Sequence, residues 1–444
     1  MAQTRRDFLR NAGLAGLGAA VLPAWWPEWI DPAFAGTSAL TTLSQTIIRG
    51  TRTGFGTTGA VYHQLRFGHG EPHLLRTDLS RTRSTRRERT AERRSLLNFV
   101  HLTDVNITDG QSPARAEFLD RYDTADLGAS FKGSYRPHEM LTVQVLEAMI
   151  RQVRALSISP ISANPISFAI ATGDNINNEQ LNELRWFIDT MDGGKVVTPN
   201  SGGASYEGVM SPSWGDSEFW HPSKGGTDRY KLGYGFPEYP GLLEKATRPF
   251  KATGMGMPWF QTFGSHDGLM QGSVPRNPFF ESVSTGRSKV KALPADVNPS
   301  DGFDKIAMYL RTLLGDRKAG NPGAFAGAQA VEVTADPNRR ILTREDYIRE
   351  MFATTGTPAG HGFTAANLPQ ADGSIATYWH SDAYARFRMI GLDTVNPGGD
   401  ESGSIGDKQL KWLEQRLIEV SARYYDASGN LVTTSNKNRL VILF

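Results

Sequence analysis

The chain has 444 residues, 39% of them hydrophobic and 21% charged, with a formal net charge of +2. That balance suits a globular protein with a sizeable core and supplies no global field for nucleic acid or an anionic membrane. There is no cysteine, so thiol nucleophiles, disulfides, iron–sulfur clusters and cysteine-based zinc sites are excluded; any metal site must be built from the nine histidines and from oxygen donors.

The N-terminus reads as a targeting segment. "TRRDFLR" carries twin arginines, Arg5 and Arg6, ahead of Phe8 and Leu9. A weakly apolar Gly/Ala-rich run follows, and "AFA" (Ala33 to Ala35) is a small-x-small cleavage site. This pattern is similar to a twin-arginine export signal over residues 1–35, and the run is too short and interrupted for a spanning helix. The expected partner is the twin-arginine export machinery, and the expected location is outside the cytoplasm: periplasm, cell surface or medium.

Residues 36–95 form an expected N-terminal extension. "TGFGTTG" contains Gly54-x-Gly56-x-x-Gly59, but no apolar strand leads into it, so it reads as a Gly-rich hairpin turn and not as a dinucleotide site. "RTRSTRRERTAERR" (Arg81 to Arg94) reads as a solvated basic linker.

A repeated pattern then begins. "LLNFVHLTD" (Leu96 to Asp104), "ISFAIATGD" (Ile166 to Asp174) and "MPWFQTFGSHD" (Met257 to Asp267) are apolar runs of strand formers, each ending in acids. Between the first two, Met140, Leu141, Val145, Leu146, Met149, Val153 and Leu156 recur at helical spacing. "EQLNELRWFIDTM" is a second helix. Later come "ARFRMIGLDT" (a strand), "SIGDKQLKWLEQRLIEV" (a helix) and "NRLVILF" (a strand). Two insertions interrupt the pattern. Residues 193–250 are rich in Gly, Pro and aromatics; residues 272–376 carry expected helices "FDKIAMYLRTLL" and the Thr343-capped "REDYIREMF". Alternating strands and helices predict an α/β layered fold over residues 96–444, with chemistry just beyond the strand C-termini. Asp104, Asn106, Asp174, Ser265, His266 and Asp267 stand there. Ser265, His266 and Asp267 are neighbours in sequence, which cannot form a hydrolase triad, and the chain has no G-x-S-x-G elbow.

The segments "HLTDVN", "TGDNINN" and "GSHD", in this order and each at a strand end, resemble the calcineurin-like metallophosphoesterases, whose motifs run D-x-H, G-D-x-x-D and G-N-H-[DE]. The resemblance extends from about Leu96 to the end of the chain. The export signal, "QSPARAEF" and "YPGLL" are similar to a bacterial exported branch. The resemblance implies a β-sandwich flanked by helices and hydrolysis of phosphate mono- or diesters through two divalent ions (Mn, Fe, Mg or Zn). Two such ions ~4 Å apart neutralise the phosphoryl charge and generate a nucleophile near neutral pH. It implies that Asp104 and Asn106 bind the first metal, that Asp174 bridges both and that Ser265 binds the second. His266 would face the phosphate and protonate or stabilise the leaving oxygen, and Asp267 would orient His266. The substrate would be a phosphoester small molecule or a phospholipid, with no nucleic acid partner. Trp214, Trp220 and Tyr234, in the aromatic insertion, are the candidates for lining it.

Three positions depart from the family pattern: Asn106 stands for His, Asn177 for Asp and Ser265 for Asn. The family's last histidines would follow the strand that ends at Phe444, so the chain is expected to lack the C-terminal part of the fold. His63, His69, His73, His101, His138, His221, His361 and His380 do not stand in the motifs. The rival expectation is a degenerate, non-catalytic binding protein of the same fold.

Overall fold

The computed structural model describes residues 41–55, 60–71, 94–122, 133–223, 225–276, 278–298, 327–399 and 402–444. The export-type segment 1–35, nearly all of the basic run, Gly56, Gly59 and the expected helix "FDKIAMYLRTLL" lie outside the described residues. Two compact units divide the chain; the first takes in residues 59–98 and 152–167 with the N-terminal strand, the second residues 99–151 and 168–444.

In the first unit, β1 (Gln45–Phe55) and β2 (Ala60–His69) pair antiparallel, as the Gly-rich turn predicts, with a register shift between Arg49 and Arg52.

The second unit is mixed α/β, with several small sheets and helices and, among the described residues, no barrel. Its strands in chain order are β3 (Phe99–Leu102), β4 (Phe168–Thr172), β5 (Val196–Val197), β6 (Phe250–Lys251), β7 (Trp259–Thr262), β8 (Ser288–Ala292), β9 (Gln329–Glu332), β10 (Trp379–Ser381), β11 (Phe387–Gly391), β12 (Arg423–Tyr425), β13 (Leu431–Thr433) and β14 (Leu440–Leu443). All three predicted motif strands join one parallel sheet, in order β3-β4-β7. A second sheet has order β10-β11-β14 and contains both later predicted strands. The two sheets are joined by aromatic packing. Phe260 stacks on Trp379 with ring centres 5.6 Å apart, the Trp379 indole N–H donates to the Gln261 carbonyl at 2.7 Å, and Phe444 meets Phe99 edge-on at 5.8 Å. β4 carries Phe168, Ala169, Ile170 and Ala171 in sequence, all buried, because a central parallel strand is covered on both faces.

Helix α1 (Thr142–Leu156) forms where expected, with Leu146 and Val153 buried as expected, but Val143 and Ile150 complete the buried stripe, while Val145 and Met149 are exposed. Both stripes have helical spacing; the intervening Glu147 is also buried, accepting from the Thr253 hydroxyl and amide, and so turns the inner face towards itself. Helix α2 (Leu181–Asp192) buries Leu184, Phe187, Ile188 and Met191. Helices α3 (Arg229–Tyr234) and α4 (Leu242–Ala246) lie in the first insertion. In the second insertion are α5 (Pro278–Ser284) and α6 (Arg344–Phe352), the latter closed by a reciprocal Thr343–Asp346 capping box. Helix α7 (Asp407–Ile418) precedes the last three strands. Among the described residues no helix is long and apolar enough to cross a membrane.

Candidate active site at the ends of three parallel strands

Because β3, β4 and β7 run parallel, their C-termini fall on one sheet edge. The backbone turns sharply there. Asp104, Asn106 and Asp174 adopt left-handed φ values of 54°, 50° and 52°. Asp and Asn tolerate this conformation better than other side chains, yet three instances at one edge mark loops held by their surroundings. The loops after β3 and β4 are stitched together: the Asn106 amide donates to the Asp174 carbonyl at 2.8 Å and the Ile107 amide to the Asn175 carbonyl at 3.0 Å. The loops after β4 and β7 touch through glycines. A Cβ on Gly173 would stand 2.7 Å from the Gly264 Cα, and one on Gly264 would stand 2.1 Å from the Asp174 amide nitrogen.

His266 sits in the turn Ser265–Asp267. Its backbone amide donates to Asp174 Oδ1 at 2.9 Å. Its ring Nδ1 faces two amide oxygens, Asn106 Oδ1 at 2.8 Å and Asn177 Oδ1 at 3.1 Å. Two acceptors require a donor, so Nδ1 carries a proton, and Nε2 has no hydrogen-bond partner among the described residues. Burial holds the imidazole below its ordinary pKa; the Asp174 and Asp104 carboxylates oppose this, and Arg136 and Arg115 reinforce it. Ser265 Oγ donates to Asp174 Oδ1 at 3.4 Å, a long contact. Asp104 is exposed, and its Oδ2 accepts from the Thr103 hydroxyl at 2.5 Å. The sequence-predicted residues Asp104, Asn106, Asp174, Ser265 and His266 are thus brought together.

Asp267 requires a correction. Its buried carboxylate makes no bond to the His266 ring. It accepts from the Gly264 amide at 2.7 Å, the Ile176 amide at 2.8 Å and the Asn175 side chain at 3.4 Å, so it ties the loop after β7 to the loop after β4. Burial pushes its carboxyl well above the ordinary range, Asp174 adds to this, and the three N–H donors pull it back.

Trp214 and Trp220 are also corrected. Both are buried in a satellite core with Tyr206, Met210, Phe219 and Leu243. Their indole N–H groups are spent on backbone carbonyls, Glu207 at 3.1 Å and Pro237 at 3.1 Å. They hold the insertion together. Tyr234 is half-buried at the end of α3, its ring 5.6 Å from that of Tyr230.

Three supporting residues escaped the sequence reading. Glu183, on α2, accepts from the Asp109 amide at 2.8 Å and from the Asn178 amide at 2.9 Å, clamping both motif loops with one carboxylate. Burial pushes that carboxyl up to about 8, and the Asp109 charge acts in the same direction; the two amides and Arg115 pull it down. Asp109 is in turn held by Arg339 at 3.2 Å and by the Ser201 hydroxyl at 2.7 Å. Asn175 donates to the Thr262 carbonyl at 2.9 Å and to the Tyr347 hydroxyl at 3.0 Å. The available signal was Glu183 itself: a carboxylate four residues before Phe187, on the apolar face of α2.

The donor chemistry at this edge is rich in oxygen: two carboxylates, two amides and a hydroxyl. Asp104, Asp174 and Asn106 fit one hard divalent cation. For the second ion implied by the resemblance, the described residues offer a shared Asp174 and the neutral Ser265 hydroxyl, a set that does not fit. Among the described residues no three His, Asp or Glu side chains are grouped as a metal cage. No family model matches the chain, and no curated protein and no solved structure is significantly similar to it.

Proposed function

We propose that the chain is an exported phosphoester hydrolase of the calcineurin-like metallophosphoesterase type, acting on a small phosphoester or a phospholipid. The observation that carries this reading is the convergence of Asp104, Asn106, Asp174, Ser265 and His266 on one edge of a parallel sheet. The packing of that sheet against β10-β11-β14 is compatible with the family's sandwich. Asp104, Asp174 and Asn106 would hold a divalent cation, which would neutralise phosphoryl charge. His266, with its proton on Nδ1, has Nε2 left for the substrate. Burial favours the neutral ring, so Nε2 would take a proton from solvent before donating it to the leaving oxygen, and an incoming phosphoryl anion favours that imidazolium. Asp174 positions this ring through the His266 amide.

The test is hydrolysis of p-nitrophenyl phosphate and bis(p-nitrophenyl) phosphate with added Mn or Mg, by the parent chain and by Asp174→Asn. Loss of at least roughly a hundredfold in the variant is expected, the range of a lost electrostatic group. Near-parental turnover would sink the assignment. Asn106, Asn177 and Ser265 favour a second reading, a binding protein of the same architecture. A folded parent that binds phosphate and Mn without turning over either ester would establish that one instead.

A further inference from the structure

The β1–β2 ribbon has a composition that the edge site does not use. Its pairing sets the faces. Ile47 is opposite Phe67 and Arg49 opposite Leu65, so Ile47, Arg49, Leu65 and Phe67 share one face; Ile48 and Arg66, also paired, share the other. All six side chains are exposed, Ile47 at 63% and Leu65 at 57%. Neither strand contains a carboxylate, while Arg49, Arg52 and Arg66 make no ion pair among the described residues. Two-stranded ribbons are marginal in water, and monomers rarely leave this many large apolar groups on one element. The pattern therefore asks for an occupant that is anionic and has an apolar interior.

We propose that the paired strands β1 and β2 dock on an anionic lipid surface. Charge complementarity selects the sign: three arginines and no acid match phosphate headgroups. The apolar groups select the class. Aliphatic side chains contribute nothing to nucleic-acid backbone contacts. A protein partner would call for one apolar face and one polar face, whereas this ribbon shows both characters on each face. A thin element surrounded by headgroups and upper acyl chains is satisfied on both faces at once, with Ile47, Ile48, Leu65 and Phe67 in the apolar zone and the arginines at phosphate level.

The experiment is co-sedimentation of the full chain with vesicles of phosphatidylglycerol and phosphatidylcholine, 1:1, and with pure phosphatidylcholine. Two variants are compared with the parent, Ile47→Ser/Phe67→Ser and Arg49→Gln/Arg66→Gln. They share residues 1–35 with it, so any contribution of that segment cancels. The parent should prefer the anionic vesicles by at least roughly tenfold, and the arginine variant should lose roughly thirtyfold of that binding. The apolar variant should lose a comparable amount through a different interaction, so a local folding defect in one cannot account for both. Equal partition onto neutral vesicles, parental binding by both variants, or equal capture by polyglutamate would overturn the proposal; the last would point to an acidic protein.

Discussion

His266 Nδ1 and Asn106 Oδ1 lie 2.8 Å apart, and this contact ties the loop after β7 to the loop after β3. It also commits the Asn106 oxygen to a hydrogen bond, which weakens it as a metal donor. Introducing nitrogen and amide donors should therefore strengthen cation binding. Asn106→His combined with Ser265→Asn is expected to raise Mn affinity roughly tenfold, measured by calorimetric titration. An unchanged titration would mean that the oxygen-rich edge is adapted as it stands.

Asp267→Ala should destabilise the second unit by about 3–5 kcal/mol. It strands the Gly264 and Ile176 amides and the Asn175 side chain in a buried loop crossing. Asp267→Asn keeps an acceptor and should cost less than half as much. Urea unfolding of both variants checks this; equal costs would contradict the assigned role of the two amide contacts.

Trp214→Ala and Trp220→Ala should each lower stability by about 3–5 kcal/mol, the usual cost of emptying a buried aromatic site. If the chain hydrolyses phosphoesters as proposed, the ranking of its substrates should not change. A reordered ranking at parental stability would return these residues to the substrate.

Glu183 should leave a mark on the pH dependence of stability. Its folded-state value is about 8 against an ordinary 4.5, because burial disfavours the charge. The folded protein thus binds the proton more tightly than the unfolded chain, so stability falls as pH rises between those values. Glu139, raised to about 7 by burial despite Arg115, acts in the same direction. His361 acts oppositely but only below its ordinary 6.5, since burial lowers it to about 4. Between pH 6.5 and 8 the urea midpoint should therefore drop as pH rises, and Glu183→Gln should flatten that slope. A parental midpoint that rises over this interval would show Glu183 to be ionised in the folded state.

Strands were readable because the segments around β3, β4 and β7 are rich in apolar strand formers and are followed within two residues by Asp or Gly, so their positions and the gathering of Asp104, Asp174 and His266 followed from the sequence. Roles were less legible. Asp267 adjoins His266 in sequence, but the turn Ser265–Asp267 sends the two side chains to different partners. Trp214 and Trp220 have the composition of a ligand surface and the environment of a core, a distinction made by contacts from Tyr135, Met140 and Leu243, far away in sequence. The buried face of α1 was misjudged at Val145 and Met149 because hydropathy alone does not register Glu147 as an inward residue, satisfied by Thr253.

The contact between Gly173 and Gly264 also constrains how this chain can change over time. Neither position has room for a methyl group while the other loop stays where it is, and Gly173 in addition has a φ of 83°. No single substitution relaxes the crossing, because the nearest obstruction at each position is the other loop's backbone, joined at Gly264 by the Asp174 carboxylate. The two loops that carry Asp174 and His266 can therefore drift only as a pair. Insertions and exchanges should accumulate in the segments 193–250 and 272–376, while the glycines at this crossing persist in any descendant that keeps the edge intact, whatever chemistry that edge comes to perform.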